Sequence, residues 1–128
     1  MGALKHIKQT YKFYPKTIID IGAAFGDWSR NCLNIFPKAK YLLIEPLSEF
    51  SKVLGKFAHN HKNINYLQFA VGPKNKKISI NIHQDLVGSS LLKEKSQFSD
   101  GHPRKVCMIS LDHVCKNLKG PYLIKADV

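Results

Sequence analysis

The sequence predicts an α/β fold, a doubly wound and mostly parallel sheet, on three observations. The β-branched run Thr17-Ile-Ile-Asp-Ile21 passes directly into a small-residue turn, Gly22-Ala-Ala-Phe-Gly26, and then into a helical pattern. A second run, Tyr41 to Ile44, is apolar throughout, as befits a strand covered on both faces. Strand-like and helix-like periods then alternate toward the last residues, the rhythm of crossover connections.

Each element follows from local pattern. Leu4, Ile7, Tyr11 and Tyr14 recur at helical spacing and stop at Pro15, predicting an amphipathic lead-in helix within residues 1–16. Thr17 to Ile21 is the first strand. Asp27 is expected to cap a helix whose apolar face is Trp28, Cys32, Ile35 and Phe36, ended by Pro37. After the Tyr41–Ile44 strand, Phe50, Val53, Leu54, Phe57 and Ala58 mark the clearest helix. Tyr66 to Val71 is the third strand, closed by Gly72-Pro73. Ile78, Ile80 and Ile82 alternate with polar residues, predicting a half-exposed antiparallel strand. A polar stretch from Gln84 to Pro103 is long for a plain connection, and such loops often bind ligands. Ser89 and Ser90 within it are read as turn residues, with a cofactor or substrate contact as the alternative. Val106 to Ile109 is a strand, Ser110 caps a helix bearing Leu111, Val114, Cys115 and Leu118, and Tyr122 to Ala126 is a final strand. Residues 17–128 form one domain without repeat or linker, expected to be incomplete after its fourth parallel strand, as in a fragment of a longer chain.

The turn after the first strand selects the ligand. A dinucleotide fingerprint G-x-G-x-x-G starting at Gly22 would require glycine where Ala24 and Asp27 stand. The pattern acidic-x-Gly-x-small-x-Gly is met instead by Asp20, Gly22, Ala24 and Gly26. This pattern resembles the glycine loop of S-adenosylmethionine-dependent methyltransferases. Glu45, ending the second strand, stands where such sheets place an acceptor for ribose hydroxyls.

From about Thr17 to Val128 the chain resembles the FkbM-type family of these enzymes. The resemblance is carried by Ile19-Asp-Ile-Gly-Ala-Ala-Phe-Gly26, Ile44-Glu-Pro46, Phe69-Ala-Val-Gly72, Ser110-Leu-Asp112 and Ile124-Lys-Ala-Asp-Val128. It implies a Rossmann-like class I methyltransferase fold, S-adenosylmethionine as cofactor, and methylation of a hydroxyl oxygen on a sugar or small metabolite. Members usually carry Asn where Ala24 stands, and continue past the final valine with Glu-Gly or a similar pair. By this resemblance Gly22, Ala23, Ala24 and Gly26 let the backbone approach the methionine end, with its carboxylate toward the helix start. Asp20 contacts the ammonium directly or through water, and Glu45 accepts from both ribose hydroxyls. Ala70 and Val71 are candidates for the adenine pocket. Asp127 is the candidate for orienting or deprotonating the acceptor.

Composition bounds the alternatives. Twenty Lys and Arg against nine Asp and Glu leave a formal charge of +11, which attracts polyanions and makes an RNA-directed methyltransferase one alternative. Most of the excess is scattered, and aromatics do not interleave with the clusters Lys74–Lys77 and Arg104-Lys105 as base stacking requires. A small-molecule or glycan acceptor is therefore preferred over nucleic acid. A further alternative is a truncated domain that binds cofactor without turnover. Cys32, Cys107 and Cys115 show no C-x-x-C pair, so reduced core thiols are expected and no metal site. No apolar run approaches the roughly 20 residues of a membrane span, nor is there a signal-peptide-like stretch, so a cytoplasmic location is expected.

Overall fold

The computed structural model describes residues 2–82 and 102–127. Helix α1 (Gly2–Tyr11) leads into β1 (Thr17–Ile21), followed by α2 (Asp27–Leu33) and β2 (Lys40–Ile44). A 3-10 turn (Ser48–Phe50) then enters α3 (Ser51–His59). Strands β3 (Ile64–Leu67), β4 (Ala70–Val71), β5 (Lys76–Ile82) and β6 (His102–Ile109) precede α4 (Leu111–Cys115) and β7 (Tyr122–Ala126).

Four strands form one parallel sheet in the order β3-β2-β1-β7. Side chains alternate across it, as the two-residue period of a strand requires. Ile18, Tyr41 and Leu43 join the core beneath α2 and α3, with Cys32, Phe50, Leu54 and Phe57. Ile19, Ile21, Leu42 and Ile44 point to the other face, where Leu111, Val114, Cys115 and Leu118 pack. Helical segments on both faces make the sheet doubly wound, which is why its strands read as unbroken apolar runs. A second sheet, ordered β4-β6-β5, pairs β5 antiparallel with β6. Ile80 and Ile82 are buried and Ser79 is exposed, in keeping with the alternation in the sequence.

Several elements depart from expectation. The expected strand Tyr66–Val71 is two strands: Ile64–Leu67 pairs with β2, whereas Ala70–Val71 crosses to β6, opposite Met108 and Ile109. The apolar run continues through the change of partner, so composition does not register it. Strand β6 begins at His102, four residues ahead of the expected start at Val106, and includes Pro103. Among the described residues β6 is paired there only with Asn81 of β5, where a residue lacking an N–H is tolerated. The rest of the polar stretch, with Ser89 and Ser90, lies outside the described residues.

Helix α1 ends at Tyr11 because Lys12 adopts φ 50°, a left-handed termination, and leaves Tyr11 72% and Tyr14 60% exposed. Asp27 is the first helical residue of α2 and does not cap it; Gly26, at φ 81°, holds the cap position. Ser110 does cap α4, its hydroxyl accepting from the His113 N–H at 3.1 Å. Among the thiols only Cys32 is fully buried. Cys107 is exposed because it shares the outward face of sheet two with Lys77, its partner across β5. Among the described residues no helix is long and apolar enough to cross a membrane.

Candidate active site

The site is assembled where β1, β2 and β7 end. In a parallel sheet the carboxyl ends point their loops to one edge, and ligands bind in the crevice where crossovers diverge to opposite faces. Strand β1 lies between β2 and β7, in register Asp20 with Leu43 and Asp20 with Lys125, so its terminal turn faces both neighbours.

That turn is anchored on each side. Toward β2, the N–H groups of Gly22 and Ala23 donate to the Ile44 carbonyl at 2.8 and 3.2 Å. Glu45 completes the join: its Oε1 accepts from the Ala24 N–H and its Oε2 from the Leu47 N–H, both at 3.0 Å. Glu45 is buried, 6% exposed, and burial pushes its carboxyl above the ordinary 4.5 while the Leu47 and Ala24 amides oppose the shift. A carboxylate has about four lone-pair positions, so each oxygen keeps capacity for a further donor.

Toward β7, the Asp127 N–H donates to the Ile21 carbonyl at 2.9 Å. The main-chain carbonyl of Asp127 lies against Gly22 so closely that a Cβ there would collide with it, and Gly22 has φ 78°. Position 22 is therefore glycine for two reasons, close approach and left-handed backbone. At Gly26, φ 81°, a Cβ would press on the Leu54 side chain at 3.1 Å.

Ala24 also has positive φ, 50°, which costs an alanine roughly 1–2 kcal/mol. Asn tolerates this conformation better through local hydrogen bonds, so Ala24→Asn is expected to raise stability by about 0.5–1 kcal/mol, read as a higher urea midpoint at unchanged slope.

Beneath the turn, Asp20 is fully buried. Its Oδ2 accepts from the Ser29 hydroxyl at 2.7 Å, whereas Oδ1 has no hydrogen-bond partner. The Lys125 ammonium stands 3.8 Å from Oδ1, within ion-pair range but too far for a hydrogen bond, and 3.5 Å from Oδ2 of the exposed Asp127. Burial raises the Asp20 carboxyl above its ordinary 3.8, opposed by the Ser29 hydroxyl and Lys125.

The structure thus brings Asp20, Gly22, Ala23, Ala24, Gly26, Glu45 and Asp127 to one edge. Ala70 and Val71 are not at the tip of the third parallel strand but in β4, Ala70 buried and Val71 partly so. Ser29 and Lys125 were not singled out from the sequence. A lysine inside the apolar strand Tyr122–Ala126, in register with the aspartate of β1, was the signal for the second. Ser29 carries no such mark. Among the described residues no group of three or more His, Cys, Asp or Glu is placed to hold a metal ion.

Parallel topology, with a glycine turn at the end of β1 and a buried acidic side chain at the end of β2, defines a doubly wound α/β domain. The family model for the methyltransferase FkbM domain matches residues 20–128. The chain belongs to that family, and its parallel sheet is consistent with the Rossmann-like methyltransferase fold. No curated protein and no solved structure gives a significant match.

Proposed function

We propose that the chain is an S-adenosylmethionine-dependent methyltransferase acting on a hydroxyl oxygen of a sugar or other small metabolite. One observation supports this above the rest: Glu45 reaches from the tip of β2 to the Ala24 amide, so ribose acceptor and glycine turn are a single hydrogen-bonded unit. The residues fit the cofactor. Asp20 has a buried oxygen with no hydrogen-bond partner, Glu45 has unused acceptor capacity, and Gly22, half-buried, meets only main-chain atoms of Asp127 where a side chain would stand.

When bound, S-adenosylmethionine supplies a methyl group already activated on a sulfonium. The protein's part is placement. Glu45 holds the ribose hydroxyls, the Gly22–Gly26 turn takes the methionine end, and Asp20 attracts the ammonium. The adenine belongs on the side of β3 and β4; of Ala70 and Val71, Val71 has surface to offer. Asp127, exposed at the tip of β7 with Lys125 beside it, orients or deprotonates the acceptor hydroxyl.

Titration calorimetry with S-adenosylmethionine, S-adenosylhomocysteine and NAD tests the reading. The first two should bind; binding of NAD alone would overturn it. A pH series adds a signed expectation. Glu45 in the folded chain keeps its proton to a pH above 4.5, so its contribution to stability is present below that value and lost as pH rises through the folded pKa. The ionised carboxylate accepts from ribose hydroxyls more strongly than the protonated form, so cofactor affinity should climb over the same interval. An affinity flat from pH 4 to 8 would remove Glu45 from the ribose site.

A further inference from the structure

The opposite end of the parallel sheet holds a second concavity that the cofactor leaves unused. The segments entering β1, β2 and β7 are tied together there. The Thr17 hydroxyl donates to the Lys119 carbonyl at 2.8 Å, the Lys16 N–H to Pro121 and the Lys40 N–H to Lys16, each at 2.9 Å. Between them lies a cavity of about 310 Å³, lined by Lys16, Lys38, Lys40, Lys119 and Asn117 among others. Four exposed lysines, from three separate strand entries, line one hollow.

No carboxylate lines it. Among the described residues none of the four lysines is ion-paired or donates a side-chain hydrogen bond; the ion pairs lie on Arg30, Arg104 and Lys125. Of the described acids, Asp20, Glu45 and Asp127 stand toward the far edge, roughly 10–16 Å away along strands of five residues, and Asp27, Glu49 and Asp112 do not line the hollow either. Lysines at this edge often serve helix carboxyl ends, as Lys8 does by donating to the Ile35 carbonyl at 2.6 Å. Among the described residues the four around the hollow make no such bond, and like charges so grouped repel one another.

We infer that this hollow binds an anion carrying two or more linked phosphates. A single phosphate monoester brings about 1.5–2 negative charges at neutral pH, so four ammonium groups match a di- or triphosphate better than one phosphate. Lysine donors act as point charges without the planar fork of arginine, so the site selects charge density over orientation. A polyphosphate removes the repulsion, and Asn117 offers an amide beside it.

The test is calorimetry on the full chain with inorganic tripolyphosphate, and with orthophosphate for comparison. Saturable binding near one-to-one is expected, with orthophosphate weaker. Lys38→Ala/Lys40→Ala should weaken tripolyphosphate about tenfold, since two of the four ammonium groups are removed. Lys16→Ala/Lys119→Ala should do the same independently, and Lys74→Ala/Lys76→Ala should change little. Circular dichroism verifies that each variant folds. No saturable binding overturns the inference, as does equal weakening by the remote pair, which would mean diffuse attraction to a +11 chain. S-adenosylmethionine affinity should be unmoved by the pairs at the hollow, so the cofactor reading and this one stand or fall separately.

Discussion

Glu45→Ala is expected to weaken S-adenosylmethionine binding by about a hundredfold or more. Two hydrogen bonds from ribose hydroxyls to an ionised acceptor contribute about 1.5–3 kcal/mol each, and every 1.4 kcal/mol is tenfold in affinity. The same substitution strips the Ala24 and Leu47 amides of their acceptor. Part of the loss would therefore reflect a loosened turn, with stability falling by about 2–4 kcal/mol if both donors stay unsatisfied. Glu45→Gln separates the contributions, because it keeps a side-chain oxygen for one amide while removing the charge. The Gln variant leaves the second amide facing a donor, so it should lose about 1–3 kcal/mol of stability, less than the Ala variant, and still bind at least about tenfold more weakly. Calorimetry alongside urea unfolding reads both quantities. Parent-like affinity in a folded Glu45→Ala chain would exclude this carboxylate from the cofactor site.

Gly22→Ala should be the most damaging single substitution at the site. The added Cβ meets the Asp127 main-chain carbonyl, and backbone atoms of a paired strand cannot move aside as a flexible side chain can. A left-handed φ of 78° adds its own strain for any side chain. Both effects act on the seam between β1 and β7, so we expect a loss of about 3 kcal/mol or more, in the range reserved for clashes and special backbone conformations. Denaturant unfolding measures it. Amide exchange should show protection lost first at the Asp127 N–H, which donates across this seam. A Gly26→Ala chain should suffer less, because its Cβ presses on the flexible ends of Leu54, Arg30 and Phe57. Equal damage at the two positions would contradict the assignment of the seam to Gly22.

Much of this could be read from the chain itself, for identifiable reasons. Thr17–Ile21 and Tyr41–Ile44 are legible as central parallel strands because burial on both faces leaves them no polar positions to alternate with. Asp20 interrupts the first run without breaking it, its buried carboxyl tolerated through Ser29 and Lys125. The site residues on the turn were legible because left-handed backbone and close approach demand small residues at fixed offsets. Ala24 is the informative exception, since nothing in its composition announces a φ of 50°.

Local pattern, then, determined which segments are strands, that the sheet is parallel and doubly wound, and which residues crowd its carboxyl edge. Those properties depend on periodicity and on backbone conformation, both written over a few consecutive residues. Only the tertiary structure decided that β4 leaves the parallel sheet for β6, that Glu45 bonds the turn, that Lys125 stands between Asp20 and Asp127, and that four lysines share one hollow. Each of these joins residues far apart in the chain. Pairing partners and charge neighbours are set by the register of whole strands against one another, which no short window of sequence contains.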